Sequence, residues 1–469
     1  MIHLKTKVHD SQTLEFKIGY ETEPNLSVSE FKVDLWMFIP GNLEANERTY
    51  AANTFYEDLK TRLRLITPHY TLAQLAEANA LPYCRLHDAM RYPENLEAFR
   101  HEICMICNIL KSSLRDDMEK ILNETDATRR EEFLSSFIQT LREVMNIYHN
   151  LTKETVALPA ESLRNYQRGD EFLCQTIRHY LYCRTKEFNK KELNLYLLEL
   201  QNYMESQGYT LPQPKESKQS RNFLHRYATL KKFIESDLYI RTHNKHSGFL
   251  LEQLMFMLSA GMAMGFALMI NFYTKDAANK FSLPLILLMI VSYMFKDRIK
   301  DWVRNLFHDR SGEIFFDRRQ RLEMNGIDIG SSRQNFEYLT PDKVAQSIQE
   351  FKQRSMELDE PDDIQREEVV HYCRTIRLQR KLIQRLSRHP LRGVDEICRL
   401  NLNRLMRWMD NPNITVYHSA EDGNVERFNA PRTYEIHFVM GNILNGKSNF
   451  FSYRVELNRD GIIALKDLS

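Results

Sequence analysis

From Leu254 to Phe272 the chain carries no charged residue, and Asn271 is its only strongly polar side chain. A bilayer core of about 30 Å needs roughly 20 helical residues at about 1.5 Å each. This run supplies 19 by count, and Leu250-Leu251 extend it past the single Glu252. Phe281 to Phe295 is also uncharged, with Pro284 in its first turn, where a missing N–H costs least. Lys280 can snorkel to an interface, which lengthens the second run backward through Ala277-Ala278. The pattern predicts a two-helix transmembrane hairpin closed by the polar turn Tyr273–Lys280. A buried soluble hairpin is the alternative, but neither run has the polar outer face it would need.

Basic flanks orient such a hairpin. Lys231, Lys232, Arg241 and Lys245 precede it, and Lys296, Arg298, Lys300, Arg304 and Arg310 follow it. The excess of positive charge predicts both termini in the cytoplasm and a multi-pass, two-span protein of a bacterial inner membrane. Met1–Lys5 opens a strand-like alternation, not a signal peptide. Gly261 and Gly265 form a small-xxx-small pair suited to close helix packing. Ile299, Trp302, Val303, Leu306 and Phe307 recur at helical spacing. They predict an interfacial helix whose Lys296, Arg298, Lys300 and Arg304 face anionic lipid.

The composition of the whole chain suits folded domains: 43% of residues are hydrophobic and 27% charged. A net charge of +1 leaves no global field for nucleic acid or an acidic substrate. Seven cysteines in 469 residues do not make a disulfide framework. Ile2–Val8, Leu14–Ile18 and Phe31–Ile39 alternate with period two and predict strands. Asn42–Leu65 reads as helix. Further helices are expected near 94–124, 160–184, 190–206 and 217–241, with a capping box at Thr128–Glu131. In the last third, Pro341–Met356, Arg366–Arg388 and Val394–Met409 read as helices. Ile414–His418, Thr433–Met440, Phe450–Leu457 and Ile462–Lys466 read as a β meander. The predicted fold is thus an α+β membrane protein in three parts. Residues 1–245 form a helix-rich cytoplasmic module with a small N-terminal sheet, 246–308 the transmembrane hairpin and juxtamembrane helix, and 309–469 a helical plus antiparallel β module.

Three motifs invite chemistry. Gly441, Gly446, Lys447 and Ser448 match the P-loop pattern, in which backbone amides cradle phosphates, the lysine reaches the terminal phosphate and the serine holds magnesium. The strand-like Phe450–Leu457 follows where a helix is required, so the match reads as a chance feature of a hairpin loop. Cys84, His87, Cys104 and Cys107 offer zinc-like pair spacing, against which stands the apolar helix face that Cys104 and Cys107 share. Arg374, Arg377, Lys381 and Arg385, spaced by three and four, predict a basic helical stripe for lipid or an acidic protein. No aromatic residue is interleaved with it, which argues against nucleic acid.

No nucleophile elbow, metalloprotease, kinase or dinucleotide signature is present. The expected function is a membrane-anchored interaction, assembly or sensing protein with protein partners or a second copy, and no cofactor is indicated. The alternatives are a membrane-tethered enzyme, metal- or nucleotide-dependent, and an oligomeric pore built through Gly261 and Gly265.

Overall fold

A computed structural model describes residues 2–21, 27–92, 95–155, 159–184, 191–212, 218–245, 249–274, 316–354, 367–387, 389, 392–419, 425–444 and 447–468, with isolated positions between 287 and 301. The chain divides into two compact units. The first is Met1–Leu63, Ile240–Leu386 and Val394–Ser469; the second is Arg64–Tyr239 and Ser387–Gly393.

The first unit is built on one sheet. Its strands are β1 (Ile2–Asp10), β2 (Thr13–Glu21), β3 (Val28–Pro40), β4 (Leu59–Leu65), β5 (Tyr239–Lys245), β6 (Arg318–Met324) and β7 (Ile327–Leu339). β8 (Glu367–Gln379), β9 (Gly393–Asn401), β12 (Tyr434–Leu444), β13 (Lys447–Asn458) and β14 (Gly461–Asp467) complete it. β10 (Asn413–Ser419) and β11 (Val425–Pro431) pair separately. The twelve strands run β1-β2-β9-β4-β5-β6-β7-β8-β3-β12-β13-β14 in an antiparallel, nearly closed, barrel-like sheet. Its two ends approach where the Ile462 amide donates to the Ser11 carbonyl at 2.7 Å. N-terminal and C-terminal strands therefore share one sheet: β3 lies between β8 and β12.

Alternation decides which side chains face inward. Phe31, Val33 and Leu35 of β3, Tyr372, Ile376 and Leu378 of β8, and Ile436, Phe438 and Met440 of β12 are buried. Phe16 meets the Phe438 ring at 5.9 Å. Burying each such side chain contributes about 1.5–3 kcal/mol.

The second unit is a helical bundle. After α1 (Ala52–Asp58), which belongs to the first unit, come α2 (Leu72–Leu75), α3 (Leu81–Met90), α4 (Leu96–Asn123), α5 (Ala127–Thr155), α6 (Ala160–Arg184), α7 (Lys191–Ser206) and α8 (Lys218–Glu235). Thr71 and Gln74 form a capping box at the start of α2. α5 is capped by Asp126, whose Oδ1 accepts the Thr128 amide at 2.9 Å, so it begins ahead of the expected Thr128–Glu131 box.

Three expectations are corrected. Among the described residues, no helix is long and apolar enough to cross a membrane. The first expected span lies in α9 (Phe249–Thr274). The turn from 275 and most of the second span lie outside the described residues. The transmembrane hairpin, the inner-membrane address and the cytoplasmic placement of both termini lose their support. Second, the C-terminal module is not helical followed by β. The expected helix Arg366–Arg388 is β8 followed by α11 (Arg380–Ser387), α10 being Gln346–Arg354, and Val394–Met409 is mainly β9. Third, Asn42–Leu65 is not one helix but α1 followed by β4.

Candidate metal centre

Residues 169–177 of α6 are all buried, although Asp170, Glu171, Gln175 and Thr176 are among them. A helix enclosed on every side must find partners for such groups. Glu171 receives Arg226 Nη2 at 2.6 Å and Nε at 3.0 Å. Asp170 gathers a wider set.

Packing brings that set together. A Cβ on Gly169 would lie 2.8 Å from Tyr148 Oη and 3.1 Å from Cys107 Sγ, so the glycine lets α6 close onto α4 and α5. His149 of α5 then stands beside Asp170, with Nε2 2.9 Å from Oδ1. The His149 ring stacks on Tyr203 of α7 at 4.4 Å. One turn along α6, Cys174 Sγ donates to the same Oδ1 at 3.9 Å.

The other carboxylate oxygen is held by two phenols. Tyr203 and Tyr209 donate to Asp170 Oδ2 at 2.8 and 2.7 Å. Tyr209 is aimed by the end of α7. Gly208 takes φ +70, the Tyr209 amide donates to the Met204 carbonyl, and the Gly208 amide to that of Glu205. These are the two bonds of a Schellman cap, and only glycine adopts its left-handed residue without cost. Burial, and then the Asp170 carboxyl, push both phenols well above their ordinary range, so they remain donors at neutral pH.

His149 Nε2, Asp170 Oδ1 and Cys174 Sγ all lie within 4.8 Å of one another. A tetrahedral ion bound at about 2.0–2.3 Å separates its ligands by about 3.3–3.6 Å, so on binding His149 and Asp170 would part from 2.9 Å and Cys174 would close in from 3.9 Å. Nitrogen, oxygen and sulfur together suit a borderline ion such as Zn²⁺. Tyr203 and Tyr209 would act as outer partners that hold the carboxylate in place. Burial, followed by the neighbouring Asp170, raises the Cys174 thiol well above its ordinary value, so a bound ion would displace its proton.

The residues singled out from sequence fall elsewhere. Cys84 is exposed on α3, where it donates to the Asn79 carbonyl; with His87 it lines a pocket of about 450 Å³. Cys104 and Cys107 are fully buried in the bundle core, and burial pushes both thiols up. Among the described residues these four do not gather into a ligand set. Gly441 lies in β12, and Lys447 and Ser448 open β13, paired with Leu444 and Ile443. A strand thus follows the P-loop-like segment, and Gly446 lies outside the described residues. A Cβ on Gly441 would meet Phe450 at 2.9 Å and Trp36 at 3.1 Å, a packing reason for this glycine.

The basic stripe is divided. Arg374 is buried in β8, Arg377 pairs with Glu30 on the outward face at 2.9 Å, and Lys381 and Arg385 are exposed on α11. Gly261 and Gly265 have open space around them. Arg298 is exposed, whereas Lys296, Lys300, Trp302 and Arg304 lie outside the described residues. The sequence reading above singles out none of His149, Asp170 and Cys174. The one available signal was Asp170 with a cysteine one helical turn on, at Cys174.

Comparison with protein-family models, with curated proteins and with solved structures finds no match to this chain.

Proposed function

We propose that this chain is a non-catalytic binding or sensing protein whose helical unit takes up one divalent transition-metal ion. His149, Asp170 and Cys174 are its ligands. The observation that carries the reading is the convergence of three ligand atoms of different chemistry within 4.8 Å, on two helices in a packed bundle. Supporting it, Asp170 is 1% exposed and its second oxygen is held by two tyrosines, an arrangement that fixes ligand geometry before an ion arrives.

Isothermal titration of the chelator-treated full chain with Zn²⁺ tests it. The expected result is one ion per chain, with affinity reduced at least tenfold in His149→Ala and Cys174→Ser. Binding that is absent in the native chain, or unchanged in both variants, would overturn it. One observation favours a second reading. Three protein ligands leave a fourth position for water, and His149 is a quarter exposed, which is how hydrolytic zinc sites are built. Metal-dependent turnover of a simple ester, lost in Cys174→Ser, would favour that enzyme.

A further inference from the structure

The outward face of the sheet in the first unit carries a different constellation. β6, β7, β8 and β3 are neighbours there, and their register sets side chains in rows. One row is Arg321, Ser331, Arg377 and Glu30; the next is Arg319, Arg333, Thr375 and Lys32. Small Ser331 between two arginines leaves a gap. A pocket of about 340 Å³ occupies it, and its polar lining includes Arg319, Arg321, Asp328, Ser331, Arg377 and Gln379.

The charges around this pocket do not balance. Arg321 holds Asp328 through Nε at 2.7 Å, and Arg377 holds Glu30 through Nε at 2.9 Å. Lys32 is matched by Asp34 at 3.0 Å. Arg319 and Arg333 stand directly opposite each other and have no carboxylate partner among the described residues. Arg333 lies over the Phe316 ring at 5.0 Å, and its Nε is buried without a hydrogen bond among those residues. Like charges directly opposite on neighbouring strands repel, so the face holds two positive charges in excess beside a pocket. Guanidinium forks match tetrahedral oxyanions in shape and charge.

The geometry points to a binding site for a phosphate-bearing small molecule, its dianionic phosphate seated among Arg319, Arg321 and Arg377. The site shares no residue with the metal ligands, so either assignment can fail without the other.

Titration of the full chain with inorganic phosphate, with nitrate as control, tests this. Saturable binding with a dissociation constant of about 1 mM or tighter is expected, weakening as salt rises. Arg319→Gln removes an exposed charge, and Arg377→Gln breaks only an exposed ion pair worth little to folding. Each should weaken phosphate at least tenfold, and Ser331→Leu, which fills the gap, should abolish binding. Lys381→Gln, on α11, should leave it unchanged. No saturable phosphate binding, equal binding of nitrate, or full affinity in Arg319→Gln and Arg377→Gln would each overturn the assignment.

Discussion

Arg374 and Glu396 form an ion pair inside the sheet of the first unit, each with 1% of its side chain exposed. Tyr20 donates to Glu396 Oε2 at 3.1 Å, and Arg374 Nε donates to Ser332 Oγ at 3.0 Å. Two charges in such a place are costly to bury and costlier to separate. Glu396→Gln, which leaves the guanidinium buried without its countercharge, should destabilise the protein by roughly 3–5 kcal/mol in urea unfolding. The double variant Arg374→Met/Glu396→Leu should recover most of that loss, to within about 2 kcal/mol of the native chain. A double variant as unstable as the single one would show that the pair itself organises the sheet.

The same pair explains why two strands were illegible in the sequence. β8 alternates correctly through Tyr372, Arg374, Ile376 and Leu378, and β9 through Val394, Glu396, Cys398 and Leu400. A charged residue at one inward position of each strand breaks period two, while Arg374, Arg377, Lys381 and Arg385 match helical spacing. Only tertiary pairing reveals that Arg374 and Glu396 answer each other. β7 hides similarly, because its inward Ser332 and Gln334 are polar. Where inward positions are apolar, as in β2 and β3, the strands were legible. The long bundle helices were too, with α6 predicted at its observed bounds. The metal ligands were not legible, since His149 and Asp170 lie on different helices and meet only through packing at Gly169.

His371 sits between two carboxylates, with Nε2 3.0 Å from Asp34 and Nδ1 2.8 Å from Glu337. Burial works to lower its pKa, but the hydrogen bonds to Asp34 and Glu337 prevail and raise it above 6.5. Burial likewise opposes ionised Asp34, yet His371 and Lys32 hold it below its ordinary value; His371 does the same for Glu337. A raised histidine contributes stability that is full below its unfolded value near 6.5 and lost as pH rises through the folded one. The lowered carboxylates contribute stability above their ordinary values, lost as pH falls through the folded ones. Stability from this triad should therefore peak between about pH 4.5 and 6.5 and decline above. His371→Gln should flatten the decline in urea titrations; an unchanged slope would assign it to other groups.

Gly330 allows β7 to pair with β8, for a Cβ there would lie 2.0 Å from the Arg377 carbonyl oxygen. The contact is with backbone and cannot be relieved by a rotamer change. Gly330→Ala should cost more than about 4 kcal/mol or prevent folding. Thermal unfolding beside Gly326→Ala, which meets open space at φ +79, separates this clash from ordinary backbone strain.

Metal uptake should be proton-linked. The Cys174 thiol, raised first by burial and then by Asp170, must lose its proton to bind. Zn²⁺ affinity should rise roughly tenfold per pH unit across the neutral range, for one proton released. Cys174→His should weaken this dependence, because imidazole binds in its neutral form. A pH-independent affinity in the native chain would argue that the thiol is not a ligand.

Cobalt substitution tests the metal centre most directly, because Co²⁺ reports its own ligands. The absorption spectrum of the Co²⁺-loaded full chain should show thiolate-to-metal charge transfer and the intense visible bands of tetrahedral coordination. Both should vanish in Cys174→Ser and persist in Cys104→Ser. A spectrum without a thiolate band, or one that survives Cys174→Ser, would contradict a centre built from His149, Asp170 and Cys174.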